Sequence, residues 1–137
     1  MATARGTTLS VGAAIMVAIV TLTACGSSKP AYCSKRSTLE QSVKGLGDVD
    51  VKSGGLDALK SQLKKVEGDA TALVNSAKSD FPSETSAIDS SVNKLAATIQ
   101  NTPSSPTATQ VTTLVGDATN LATSTKDFTD ASNSKCS

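Results

Sequence analysis

The sequence contains no histidine and no tryptophan, and its aromatic residues are one tyrosine and two phenylalanines. Without histidine, the chain has no imidazole to serve as a catalytic base, a zinc ligand or a haem ligand. Its formal net charge of +1 gives no electrostatic basis for binding nucleic acid. These absences exclude histidine-dependent catalysis and argue against a nucleic-acid partner. At 137 residues, the chain is long enough for one small domain.

A short apolar run follows the amino terminus. Arg5 precedes an apolar segment that extends from Leu9 to Val20, and small residues come after it. A membrane-spanning helix needs about 20 apolar residues, and this run has roughly half that number. The pattern therefore predicts a cleaved signal peptide over residues 1–24 rather than a permanent transmembrane anchor.

The four residues Leu22-Thr23-Ala24-Cys25 close this segment. They resemble the lipobox of bacterial lipoproteins, in which Leu lies three positions before a Cys and a small residue precedes that Cys. The resemblance implies that the Cys25 thiol receives a diacylglyceryl group and that cleavage occurs directly before it. Two acyl chains such as palmitate hold a protein stably on a membrane, whereas one chain holds it marginally. The alternative is an ordinary secretory signal, with Cys25 removed or left free.

The mature chain has few large apolar residues for its length. Removal of residues 1–24 leaves 113 residues, of which 21 are Leu, Ile, Val or Phe, and 12 basic side chains balance 12 acidic ones. Disorder is typical of low hydrophobicity combined with high net charge, so the balanced charge favours a folded domain. Because few large apolar residues are available to form a core, we expect a further source of stability.

Cys33 and Cys136 lie near the two ends of the mature chain and provide that source. Disulfides persist outside the cytoplasm, and once Cys25 carries lipid only one pairing remains. A bridge that closes about 100 residues contributes roughly 4 to 5 kcal/mol in the chain-entropy model. A reactive or metal-binding thiol pair is disfavoured, because the chain lacks a C-x-x-C motif, a third thiolate and histidine. The sequence predicts a structural disulfide between Cys33 and Cys136.

Apolar and small residues between these cysteines recur at intervals of three and four. Such spacing places them on one face of a helix and does not occur in a strand. The longest stripe extends from Leu56 to Ala77, and others begin at Leu39, Ile88 and Val111. The stripe that begins at Val111 continues through Leu114, Ala118, Leu121, Thr125 and Phe128. Glycines and prolines separate the stripes. The pattern predicts helices over residues 34–46, 55–79, 83–101 and 106–134.

Two local signals concern the helix ends. Ser37-x-x-Glu40 fits a capping box in the first turns of the first helix. Pro82 fits the first position of the third helix, where its missing N–H removes no hydrogen bond. Both signals agree with the predicted limits of the helices.

The number of helices and the disulfide can be tested against each other. An even number of helices in an up-down array returns the chain to the end where it began, whereas three helices separate the termini. Because a disulfide needs Cα atoms within about 7 Å, four helices agree with the cysteine pairing. We expect an all-α fold, an up-down four-helix bundle closed by a terminal disulfide. The bundle domain covers residues 33–136, and the lipidated amino terminus and its short tether cover 25–32.

The even number of helices also predicts which residues and loops lie at each end of the bundle. All three aromatic residues, Tyr32, Phe81 and Phe128, fall at the end with the termini, where we expect them to pack together. Because the tether is short, this end is expected to face the membrane. The loops at 48–55 and 101–106 then face away from it, and a partner is expected there.

Three Ser-x-x-Lys motifs begin at Ser61, Ser91 and Ser132. They match the motif in which a Lys activates a nucleophilic Ser in penicillin-recognising enzymes. In a chain rich in serine and lysine such matches arise by chance, and no K-T-G companion is present. We therefore do not expect a nucleophilic serine.

Weaker signals remain along the chain. Asp48, Asp50 and Ser53 resemble part of a calcium loop, but its bidentate Glu is missing and solvated turn carboxylates are the better interpretation. The tract at 102–109 offers sites for O-linked sugars, with an unmodified linker as the default. Small residues on the stripes of the third and fourth helices leave room for a groove, although close packing is the interpretation we favour. No cofactor and no metal is expected.

The mature region, with Cys33 near its start and Cys136 near its end, resembles the small uncharacterised lipoproteins exported by actinobacteria. This resemblance implies a location in the cell envelope and no established activity. We expect a non-catalytic, lipid-anchored helical module on the outer face of the cytoplasmic membrane, which binds another envelope protein or a wall component. The alternative is a carrier that holds a lipid or a small apolar molecule in the bundle. An envelope hydrolase is disfavoured by the missing histidine.

Overall fold

Four α-helices form the part of the chain that the computed structural model describes, residues 29–50 and 55–137. Each helix packs against its neighbours in the chain, and the first and last helices also pack against each other. This closed ring of contacts is the up-down four-helix bundle that the sequence predicts. The predicted signal peptide and the lipidation site Cys25 lie outside the described residues. The helices are α1 (Ala31–Gly47), α2 (Leu56–Ala77), α3 (Pro82–Gln100) and α4 (Ala108–Cys136).

A disulfide between Cys33 and Cys136 joins the first turn of α1 to the last residue of α4. The two Cα atoms are 5.5 Å apart. Both termini of the bundle therefore lie at one end, as the parity of four helices requires. The predicted pairing is confirmed in this structure.

The core follows the predicted helical stripes. The four apolar residues of the α3 stripe, from Ile88 to Ile99, are all buried. Burying one Leu, Ile or Val side chain contributes about 1.5 to 3 kcal/mol, so these stripes hold the helices together. Within the described residues, no helix is both long enough and apolar enough to span a bilayer. All seven residues of the α2 stripe are buried: Leu56, Leu59, Leu63, Val66, Ala70, Leu73 and Ala77.

Helix α1 begins at Ala31, three residues earlier than predicted. Pro30 precedes it, and the Pro30 carbonyl accepts a hydrogen bond from the Cys33 N–H at 2.9 Å. The earlier start buries Tyr32 and Cys33 in the core. The predicted capping box at Ser37 is therefore wrong, because Ser37 lies in the helix interior with its side chain exposed.

The capping box of this bundle lies at the start of α4 instead. The Thr107 hydroxyl accepts a hydrogen bond from the Gln110 N–H, and the Gln110 side-chain oxygen accepts one from the Thr107 N–H at 2.8 Å. Pro82 occupies the first position of α3, as predicted. At its other end, α4 continues past the predicted limit at 134 to Cys136, which is itself buried.

Unequal helix lengths leave the bundle asymmetric. Helix α4 has 29 residues, whereas α1 has 17. At 1.5 Å per residue, α4 is about 18 Å longer than α1. Because the disulfide fixes the two helices at the end with the termini, this excess lies at the opposite end of the bundle.

The three aromatic rings pack together at the disulfide end, which confirms their predicted position. The ring centroids of Phe81 and Phe128 are 5.4 Å apart, and those of Tyr32 and Phe81 are 5.6 Å apart. All three pairs have edge-to-face geometry, which suits the quadrupoles of aromatic rings. This aromatic cluster fills the end of the core next to the disulfide.

Candidate functional site

The polar side chains of the Ser-x-x-Lys motif in α3 contact residues outside the motif. The Ser91 hydroxyl is hydrogen-bonded to the hydroxyl of Ser124 at 3.0 Å, and Lys94 Nζ forms an ion pair with Asp117 at 3.1 Å. In the other two motifs, Ser61 is exposed on α2, and the Ser132 hydroxyl accepts a hydrogen bond from Arg36. The polar contacts found at Ser91 and Ser132 are thus to groups other than the lysine of the motif.

Asp117 is a buried carboxylate that links α3 to α4. Only 3% of its surface is exposed, and it accepts a hydrogen bond from the Thr98 hydroxyl at 2.6 Å in addition to its ion pair with Lys94. Sequence analysis missed this residue because the predicted stripe passes through Ala118, its neighbour. Leu114, Asp117 and Leu121 are buried and are spaced by three and four residues. The sequence therefore contained a helical pattern at these positions, with one polar residue in it.

The residues that resemble part of a calcium loop come just after α1. Asp48 is exposed and follows the last residue of the helix, while Ser53 lies outside the described residues. Across residues 29–50 and 55–137, no group of three Cys, Asp or Glu side chains comes together in a way that could hold a metal ion. Asp48 lies instead at the rim of the groove described below.

The hydroxyl tract at 102–109 is accessible at only some positions. Thr102 is buried, and its hydroxyl donates a hydrogen bond to the carbonyl of Thr98 at 2.7 Å. Thr107 caps α4 with its hydroxyl. Any O-linked sugar is therefore expected on the exposed side chains of this tract rather than on Thr102, namely on Ser104, Ser105 or Thr109.

An apolar groove of about 710 Å³ lies between α1 and α4. Its volume falls within the range of about 300 to 1,000 Å³ that is typical of small-molecule sites. Leu59, Leu95 and Leu114, one each from α2, α3 and α4, reach the groove and are buried core residues. One wall is formed by α1 and the residues that follow it, and the other by α4. The apolar wall residues are Val43, Leu46 and Val49 on the first wall and Val115, Ala118 and Ala122 on the second.

The difference in helix length explains the part of this groove that lies beyond the end of α1. The disulfide sets the register of α1 and α4. Counting the same number of residues forward from Cys33 along α1 and backward from Cys136 along α4 places Gly47, the last residue of α1, about level with Ala122. Beyond this level, α4 continues without α1 beside it. The close packing that we favoured for the small residues is therefore wrong for Ala118, which lines the groove and is half-buried.

A polar network closes the groove at the end nearer the disulfide. An Arg36 guanidinium nitrogen donates hydrogen bonds to the Ser132 hydroxyl at 3.1 Å and to the Thr129 carbonyl at 3.3 Å. The Thr129 hydroxyl donates to the Glu40 carboxylate, which also lies 4.0 Å from Arg36. These contacts hold α1 and α4 together at this end of the groove.

The rim of the groove carries balanced charge. Glu40, Lys44, Asp48 and Lys126 all lie along it. A hydrogen bond to Asp130, together with the negative charge of that carboxylate, raises the pKa of Lys126. Two cations and two anions at the rim give no strong attraction for a ligand of either charge.

Tyr32 carries a buried hydroxyl at the disulfide end, away from the groove. Its side chain is 3% exposed, and the hydroxyl has no hydrogen bond of normal geometry within the described residues. Burial, and then the negative charge of Asp80, raise the pKa of the phenol above its ordinary value of 10.0. The folded state therefore favours the neutral phenol.

We expect this phenol to make the protein sensitive to alkaline pH. A raised pKa in the folded state contributes stability below the unfolded pKa of about 10, and that stability is lost as the pH rises through the folded value. Tyr32→Phe should therefore lose less stability than the wild type when the pH rises from about 8 to about 11. Urea unfolding of both proteins at both pH values measures this difference. Equal losses in the two proteins contradict the assignment to Tyr32.

The chain matches no protein-family model, and no curated protein or solved structure is significantly similar to it. The fold and the groove define its class, which is a small disulfide-closed four-helix bundle with an apolar groove at one corner. Sequence analysis did not locate this groove. The available signal was the length of the predicted helices, because the range 34–46 is much shorter than 106–134.

Proposed function

We propose that this protein is a non-catalytic binding module, held on the outer face of the cytoplasmic membrane by a lipid on Cys25. The groove between α1 and α4 is the observation that carries the binding role, since it joins an apolar lining to the volume of a small-molecule site. The anchor rests on the sequence Leu22-Thr23-Ala24-Cys25 and its resemblance to a lipobox.

The geometry of the bundle supports this arrangement. The described chain begins at Lys29, next to the disulfide end. The groove starts about 10 Å from the disulfide, at Glu40, and continues away from it. A tether of a few residues would hold the disulfide end close to the membrane and leave the groove toward the surroundings.

Two ligand classes fit a binding role in the cell envelope. One is a macromolecular partner, either another envelope protein or a wall component, and the other is a lipid or small apolar molecule. The groove favours the second class, because its lining is mostly apolar and its volume is that of a small-molecule site. Binding rather than catalysis is also supported by Ser91 and Lys94, whose polar groups are engaged with other side chains.

The anchor is tested by replacing Cys25 with alanine. The wild type should partition with membranes and carry acyl mass on its amino-terminal peptide, because two chains anchor a protein stably. Cys25→Ala should leave an uncleaved precursor without that mass. Fractionation and mass spectrometry of the exported protein measure both properties.

The matched control replaces the other two cysteines, Cys33 and Cys136, with serine. This variant should keep its acyl mass and its membrane partitioning, since neither residue belongs to the lipobox. Recovery of the wild type wholly in the culture fluid, with no lipid on its amino-terminal peptide, contradicts the anchor.

A further inference from the structure

The groove between α1 and α4 has the size of a small-molecule site. Its volume is about 710 Å³, within the range of about 300 to 1,000 Å³ that is typical of such sites. Val49, which follows α1, lines the groove and packs against the core. A slender apolar molecule suits this space.

The groove also offers few polar contacts to a ligand. The Thr119 hydroxyl donates to the carbonyl of Val115 at 2.8 Å, and the Thr125 hydroxyl donates to the carbonyl of Leu121 at 2.9 Å. The Thr129 hydroxyl is engaged with Glu40. A sugar or an extended peptide would have to lose hydrogen bonds to water here without replacing them. An alkyl chain has no such requirement.

The charges of the rim suit a head group that stays outside the groove. Lys126 is paired with Asp130 and Glu40 accepts a hydrogen bond from Thr129, while Lys44 and Asp48 add one charge of each sign, so the rim is balanced. A zwitterionic head group meets both signs there, whereas an anionic or cationic one gains little. Recognition therefore depends on the chain, which buries its apolar surface against the accessible wall residues Val43, Val115 and Ala122.

We infer that the groove between α1 and α4 binds one alkyl chain of a phospholipid taken from the surrounding membrane, with its head group at the charged rim. The source is a free lipid rather than the acyl chains expected on Cys25. Placing one of those chains in the groove would leave a single chain in the bilayer, which anchors only marginally. This inference gives the proposed binding role a ligand class and a site, and it does not depend on the anchor.

The test uses the soluble chain 26–137 with its disulfide formed. Among the residues that the structure describes, the buried core lies between Tyr32 and Cys136, and this chain contains all of it. The probe is palmitoyl-lysophosphatidylcholine below its micelle concentration, titrated by calorimetry. We expect saturable binding of one molecule per chain. Glycerophosphocholine, which has the same head group and no chain, should not bind.

The decisive variant is Ala122→Trp, which fills the groove from the α4 wall. It should weaken binding by at least about tenfold. The matched control is Ala131→Trp, which places the same side chain at an exposed position of α4 outside the groove and should bind as the wild type does. If Ala122→Trp fails to fold, Val115→Asp serves instead, because Val115 is 58% exposed and tolerates a charge.

Three outcomes overturn the inference. They are no saturable binding, equal affinity in Ala122→Trp and the wild type, and equal binding of the chain-free head group. The source of the lipid is tested with the full protein, purified from membranes and then stripped of noncovalently bound lipid, so that only a covalently attached chain could still fill the groove. If that protein binds the probe as the soluble chain does, the groove is open to free lipid. If only the soluble chain binds it, the groove holds the protein's own acyl chain and the inference is wrong. The soluble chain lacks Cys25, so its results do not depend on whether Cys25 carries a lipid.

Discussion

Replacing both Cys33 and Cys136 with serine is expected to lower the free energy of unfolding by about 3 to 5 kcal/mol. The disulfide closes a loop between residues separated by 103 positions, so its loss frees nearly the whole domain in the unfolded state. The lean core has little stability to replace that loss, because small domains are stable by only about 5 to 15 kcal/mol. The melting temperature should fall by roughly 10 to 25 °C. Helicity at low temperature should survive, since the apolar stripes do not need the bridge.

Thermal and urea unfolding followed by circular dichroism measure this effect. The wild type in the presence of a reductant should behave like the double variant, which serves as an internal control for the serine side chains. Non-reducing peptide mapping that finds both thiols free in the exported protein would refute the pairing. An unchanged melting temperature in the double variant would show that the core is sufficient without the bridge.

Phe128→Ala is expected to have an effect of similar size. Phe128 is fully buried and forms edge-to-face contacts with Phe81 and Tyr32. Truncating a buried Phe to Ala removes its apolar contacts and leaves a cavity, at a cost of about 3 to 5 kcal/mol. Urea unfolding of the disulfide-bonded soluble chain measures this loss.

Phe81→Ala is the matched control for this substitution. Phe81 belongs to the same aromatic cluster but is only half-buried, so its truncation should cost clearly less than that of Phe128. Equal losses for the two variants would mean that the cluster does not close around Phe128. Because the cluster lies beside the disulfide, the Phe128→Ala and cysteine substitutions are expected to be non-additive.

Much of this fold was predictable because helical periodicity and the cysteine positions restrict each other. The stripe from Leu56 to Ala77 repeats at three and four residues without interruption, and every predicted member is buried. The pairing of Cys33 with Cys136 then requires an even number of helices. Periodicity defines the faces of the helices, and the disulfide defines the topology.

The polar residues of the core were not predictable from the same pattern. Ser42 and Asp117 are buried, although the apolar pattern of the sequence predicts that their neighbours Val43 and Ala118 face the core instead. Each is tolerated because a partner on a neighbouring helix satisfies it, Asp69 for Ser42 and Thr98 with Lys94 for Asp117. Asp69 lies 27 positions from Ser42 in the sequence, and Thr98 lies 19 positions from Asp117. Only the packed structure brings these groups together.

The groove was not predictable because it depends on where two helices end relative to each other. Local sequence signals specify helix ends poorly, as the start of α1 at Ala31 shows. The position of Gly47 beside α4 follows from the register that the disulfide imposes on the two helices. A site formed by a missing helical neighbour leaves no motif in the sequence.

The bridge between α1 and α4 also determines what a protease can release. Cys33 lies in the first turn of the first helix, and Cys136 is followed by one residue, Ser137. A single backbone cut anywhere between the two cysteines therefore yields two fragments that remain covalently joined. A reducing gel would show two bands and a non-reducing gel one. Since Cys33 lies on the amino-terminal fragment, everything after the cut stays attached to whatever holds the amino terminus.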